Sequence, residues 1–273
     1  MSGTDPVARF AAIDLDTLVA RAALLTRVDR KYVLPAADLP GLLAALPHAT
    51  AALEIEGRRW FRYRSVYLDT PDLVSFHAAG RGRRRRWKVR TREYLDTGAA
   101  YLEVKTAGPR GTTVKERLPC AVPEPEQRTL LTDRLGADAD RLRPTLETGY
   151  RRATLLLPSG ARATVDRDLT ARSLLADRAA APDGMVIVET KSGATPGELD
   201  RALWRAGHRP SRISKYGAGL AALHPELPRM KWHRVLARDL AAPAPALPAT
   251  SPDTGPYTAM STTAAPPTAP LVA

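Results

Sequence analysis

The chain has 273 residues and a formal net charge of +12, with 44% hydrophobic and 26% charged residues. That charged fraction is ordinary, so the excess of base reflects Lys and Arg outnumbering acids; it predicts attraction to anions without fixing a fold. A single cysteine, Cys120, excludes an intrachain disulfide and a cysteine-based zinc site, and the five histidines show no metal-ligand spacing. The N-terminal MSGTDPVARF lacks a signal pattern and no apolar run reaches membrane-spanning length. The expectation is a cytoplasmic protein whose association with a membrane, if any, comes through a partner.

In chain order, Leu15, Leu18, Val19, Ala22 and Leu25 have helical spacing behind the cap candidate Asp14, predicting a helix over 14–26. A strand follows over 27–34, then a helix over 36–46 that tolerates Pro40 only in its first turn. The aromatic and branched run at 58–69 predicts a second strand, and Thr70-Pro71-Asp72 a short helix with Thr70 as cap. Next, every second residue is a cation: Arg84, Arg86, Lys88, Arg90 and Arg92. Interleaved Trp87, Val89 and Thr91 suit a strand, whose period of two puts those cations on one face. Such a row repels itself unless a polyanion lies along it, so polyphosphate, nucleotide or nucleic acid is the first ligand to consider.

Asp96-Thr97-Gly98 turns the basic strand back into 100–106, and Gly108, Pro109 and Gly111 lead into 112–118, predicting an antiparallel meander. A helix around 126–135 precedes strands at 148–157, 161–169 and 185–191. Thr195-Pro196-Gly197-Glu198 reads as a capping box opening a helix, and another helix spans 214–223. Beyond residue 239 the composition is Ala, Pro, Thr and Ser, which cannot bury enough surface to order itself, so 239–273 reads as a disordered tail. The expected organisation is a flexible stretch over 1–7, one domain over 8–238, and the tail.

The strands share an alternation. Leu102, Val104 and Thr106 oppose Tyr101, Glu103 and Lys105; Val186, Val188 and Thr190 oppose Ile187, Glu189 and Lys191; Ala163 and Val165 oppose Arg162, Thr164 and Asp166. One reading is an open antiparallel sheet with a dry face on helices and a charged face toward solvent. The other is a barrel around a water-filled lumen with helices outside. Recurrence of Asp29, Glu103, Asp166 and Glu189 on the cationic faces suits a lumen holding a metal ion and an anionic chain.

RVDRKYVL, SVYLDT, KVRTREY, LEVKT, TVKERLP, ARATVDRD, VIVETKS and RISKY occur in an order that resembles the VTC domain. That is the polyphosphate polymerase domain of the vacuolar transporter chaperone family, within the triphosphate tunnel metalloenzyme (CYTH-like) superfamily. The resemblance covers roughly 8–236. It implies an α+β fold: an antiparallel β-barrel tunnel with helices packed on the outside. It further implies transfer of the ATP γ-phosphoryl group to a growing inorganic polyphosphate, with Mn²⁺ or Mg²⁺ as cofactor. By this likeness Lys31, Arg90, Arg92, Lys105, Lys115, Arg162 and Lys215 are the catalytic cations. Lys88, Arg212 and Lys191 are further phosphate contacts, Glu189 is the metal ligand, and Glu103 is a second metal candidate.

Two departures stand out. Arg212 replaces a lysine seen in eukaryotic members, and Arg27-Val28-Asp29-Arg30-Lys31 lacks the first glutamate of the superfamily's Glu-x-Glu-x-Lys signature. The alternatives are a tunnel triphosphatase with water as acceptor, and a non-enzymatic polyanion-binding module. Taken alone, Glu189 reads more readily as an ion-pair partner of Lys191 or Lys105 than as a metal ligand. Arg81, Arg83, Arg84, Arg85 and Arg86 read as a peripheral patch, and Trp60, Trp87, Trp204 and Trp232 as packing residues. No specific nucleic acid is expected, and the oligomeric state is not fixed by the sequence.

Overall fold

A computed structural model describes residues 5–21, 28–108 and 112–238. The expected tail, part of the first helix, Arg27 and the 109–111 turn lie outside the described residues. Eight strands form the main path: β2 (Val28–Pro35), β4 (Phe61–Asp69), β5 (Trp87–Tyr94), β6 (Ala99–Ala107), β7 (Thr113–Pro119), β8 (Arg143–Leu156), β9 (Arg162–Ser173) and β11 (Met185–Ser192). Their order is β2-β11-β9-β8-β4-β5-β6-β7, antiparallel throughout. Short strands β1 (Ala11–Ile13), β3 (Ala51–Leu53) and β10 (Ala179–Ala180) extend it, none of them marked in the sequence by more than three residues.

The period-two pattern separates two faces. Tyr32, Leu34, Val186, Val188, Ala163, Val165, Ala153 and Leu155 join the apolar core that α2 (Leu39–Ala44) and α5 (Glu198–Arg205) cover. On β5 and β6 the same face presents Val89, Leu102 and Val104 to Leu130, Leu131 and Leu135 of α4 (Glu124–Leu135). These helices lie on the outside, as expected. The helix α6 (Lys215–Leu223) departs from that scheme: Tyr216 stacks on Tyr67 with centroids 5.1 Å apart, and it packs with Val33 and Ile187 on the opposite face.

Among the described residues, β2 and β7 end the path without pairing with one another. The wall is therefore a curled sheet with a seam, its β2 edge capped where Ser211 N–H donates to the Lys31 carbonyl at 2.7 Å. The curl is visible in the side chains. β5 and β9 stand three strands apart, about 14 Å if flat. Yet Lys88 of β5 donates to Ser214 at 2.8 Å, and the adjacent Lys215 reaches Asp166 of β9.

Local signals at helix starts were partly displaced. Asp14 accepts from Thr17 N–H at 2.8 Å and caps α1 (Leu15–Arg21), and Ser214 caps α6. The helix α3 (Val74–Gly80) begins later than the Thr70-Pro71 signal: buried Asp69 accepts from the N–H groups of Ser75 and Phe76, both at 2.9 Å. In α5 the cap is Gly197, whose N–H donates to Asp200 at 2.9 Å. Glu198, expected to close a box with Thr195, instead accepts from Ser159.

Candidate active site: a cationic lumen

The pairing register decides which side chains share the concave face. Lys31 sits opposite Glu189, and Lys191 opposite both Asp29 and Arg162. Asp166 sits opposite Arg152, Tyr63 opposite Tyr150, and Ser65 opposite Arg92. Arg90 faces Glu103, and Lys88 faces Lys105, which in turn faces Lys115. One concave wall thus collects Lys31, Lys88, Arg90, Arg92, Lys105, Lys115, Arg162, Lys191, Glu103 and Glu189. Lys215 joins them from the first turn of α6. Of the row that began at Arg84, only Lys88, Arg90 and Arg92 lie within a strand.

Three carboxylates organise these cations. Glu103, 1% exposed, accepts from Arg90 Nε at 2.7 Å and pairs with Lys115 at 3.0 Å and Arg92 at 3.7 Å. Asp166 accepts two hydrogen bonds from Arg152, at 2.6 and 2.9 Å, and one from Lys215. Glu189 lies 3.3 Å from Lys31 and 4.0 Å from Lys191. Burial opposes ionisation of all three, but the adjacent cations prevail. Arg90, Arg92 and Lys115 hold Glu103 well below the usual carboxylate range; Lys31 and Lys191 do the same for Glu189, and Arg152 and Lys215 bring Asp166 to about 2.

The cations outnumber their partners. Burial, with Arg90 and Lys31 beside it, lowers the Lys88 ammonium to about 7. Burial, with Arg90 and Lys88, lowers Lys105 to about 6. A tyrosine shelf steadies the arginines: Arg90 lies over Tyr67, Arg92 over Tyr63, and Arg152 over both Tyr63 and Tyr150. The buried hydroxyls of Ser65, Thr148 and Thr164 and the Nε of Arg92 have no hydrogen-bond partner among the described residues. Unpaired donors beside surplus cations make this lumen suited to phosphoryl oxygens.

Among the described residues no group of three or more His, Cys, Asp or Glu side chains could hold a metal ion. A fully protein-held centre therefore does not fit. A divalent ion that takes most of its ligands from phosphate needs only one or two carboxylates. Glu189 suits that role: its side chain is 19% exposed, and its nearest cation, Lys31 at 3.3 Å, stands farther off than the Arg90 Nε that lies 2.7 Å from Glu103. Glu103 does not, because three cations already enclose it; its place in the site is that of a counter-ion.

Arg212 is the expected contact that does not line the wall: it is exposed, beside Lys231. Arg152 is the cation absent from the expected site; its partner Asp166 was among the carboxylates that the alternation placed on the cationic faces. The signal for Arg152 was the alternation of Tyr150, Arg152 and Thr154 with Ala153 and Leu155, blurred by adjacent Arg151 and by a register shift between Gly149 and Arg151.

The family model for the VTC domain matches residues 26–224. No curated protein matches the chain. Among solved structures, PH1819 from Pyrococcus horikoshii OT3 is 14% identical with a TM-score of 0.44, over 74% of this chain and 99% of that one. HpAC1 from Hippeastrum, a candidate adenylyl cyclase described by a dominant triphosphatase activity, is 14% identical with a TM-score of 0.45, over 71% of this chain and 94% of that one. Likeness at these scores bears on neither activity nor substrate.

Proposed function

The chain belongs to the VTC domain family, and from that premise we propose that the lumen is the active site of an ATP-dependent polyphosphate polymerase. The observation that carries this reading is the concave wall itself, where Lys31, Arg90, Arg92 and Lys115 gather on one face around Glu103 and Glu189, beside hydroxyls of Ser65, Thr148 and Thr164 that have no partner among the described residues. A phosphate chain end is already an anionic oxygen and needs no base. Transfer between phosphates can then proceed by alignment and charge neutralisation.

In this reading Arg90 and Arg92, steadied by Glu103 and the tyrosines, present forked donors to the phosphoryl groups. Lys31, Lys105, Lys115, Arg162, Lys191 and Lys215 neutralise charge along the chain, and Arg152, aimed by Asp166, is a further contact. Neighbours on one strand face lie about 6.5–7 Å apart, a spacing that lets successive residues hold successive parts of an extended polyanion. Glu189 would hold Mn²⁺ or Mg²⁺, which would supply added charge neutralisation at the transferring group. Purified protein with ATP and Mn²⁺ is expected to yield ADP and a polymer resolvable on a gel. Orthophosphate released from tripolyphosphate, with no chain extension from ATP, would select the triphosphatase alternative.

A further inference from the structure

Between α3 and β5 the chain carries Arg81, Arg83, Arg84 and Arg85 on the surface, with no acidic partner for any of them among the described residues. Arg86 is half-buried, its guanidinium donating to the Arg83 carbonyl at 2.8 Å and bracing the loop. Two more exposed cations adjoin it. Lys231 donates to the Ala79 carbonyl near the end of α3, and its ammonium senses both Arg86 and Arg212. The loop runs directly into β5, whose Lys88 and Arg90 line the lumen, so cations succeed one another from the lumen to the arginine loop.

We propose that the loop 81–86, with Arg212 and Lys231, is an external binding track for the part of a polyphosphate chain that extends beyond the lumen. The proposal rests on the lumen's being a phosphate-chain site. A row of unpaired arginines costs mutual repulsion, which a linear polyanion relieves. Phosphate suits the track better than nucleic acid does, because the nearby aromatics are committed elsewhere. Trp87 directs its indole N–H to Asp138 at 3.3 Å and packs against α4, and Trp232 is fully buried. Stacking platforms for bases are therefore missing from it.

The test is equilibrium binding of tripolyphosphate and of a polyphosphate several tens of units long, across a salt series and without nucleotide. The wild type is compared with the combined variant Arg81→Ser, Arg83→Ser, Arg84→Ser and Arg85→Ser. The wild type should bind the long chain at least about tenfold more tightly than tripolyphosphate. The variant should lose that advantage together with part of the salt slope, while tripolyphosphate affinity stays put. Equal affinity for both lengths in the wild type, or an unchanged long-chain affinity in the variant, overturns the proposal. Tighter loop-dependent binding of single-stranded polyuridylate than of long polyphosphate also overturns it. Failure of tripolyphosphate to bind either protein would strike the lumen reading, and with it a track that extends from the lumen; an unchanged long-chain affinity in the variant with tripolyphosphate still bound strikes the track alone.

Discussion

Glu103 and Glu189 look alike in sequence, each in a Glu-x-Lys strand motif, but their surroundings separate them. Glu103 is enclosed by Arg90, Arg92 and Lys115, so Glu103→Gln leaves three neighbouring cations uncompensated. Denaturant unfolding should report a loss of about 3–5 kcal/mol. Glu189→Gln, at a more open position with longer ion-pair distances, should cost less than that while abolishing turnover. Lys88 and Lys105 supply the pH dependence. Their ammonium groups are lowered to about 7 and about 6, so both are largely neutral in the free protein at pH 8. A bound polyanion favours the charged forms, so binding takes up protons and tripolyphosphate affinity falls as pH rises from 6 to 8. Calorimetry in two buffers of different ionisation enthalpy measures that uptake; none at pH 8 would contradict the account.

Among the elements, α6 is the one that makes the lumen more than a curved sheet. Its Gly217 lies against Trp232, where an added Cβ would come within 2.0 Å of the indole ring. Gly217→Ala should therefore destabilise by about 1–3 kcal/mol, seen as a lower Tm, by pushing the helix off its seat. Tyr216 fixes the same helix through its hydroxyl, which donates to buried Asp69 at 2.5 Å. The strands were legible in the sequence because alternation in Tyr101–Thr106 and Val186–Lys191 reports burial directly, residue by residue. The position of α6 was not. Its apolar residues demand burial, but nothing local distinguishes the outer face from the inner. Nor did the Thr70 and Thr195 signals reveal how the N-terminal N–H groups divide: Thr70 accepts from Val74 while buried Asp69 takes Ser75 and Phe76, and Asp200 within α5 accepts from Gly197 in the place expected for Glu198. The cations of β5 were plain in the sequence; choosing Arg152 over Arg151 required the irregular register of β8 and β9.

For the molecule as a whole, the open seam between β2 and β7 means that curvature, and not a closed ladder, gathers the charges. The sheet and α6 bring cations from β2, β5, β6, β7, β8, β9 and β11 around one space, with Glu103 and Asp166 holding several of them in place. Such a lumen is suited to holding phosphate. The central claim is tested most directly by ATP labelled on its γ-phosphate, incubated with the protein, Mn²⁺ and a polyphosphate primer. The label should appear mainly in acid-stable polymer, in step with ADP. Label released chiefly as orthophosphate while the primer stays unlabelled would contradict it.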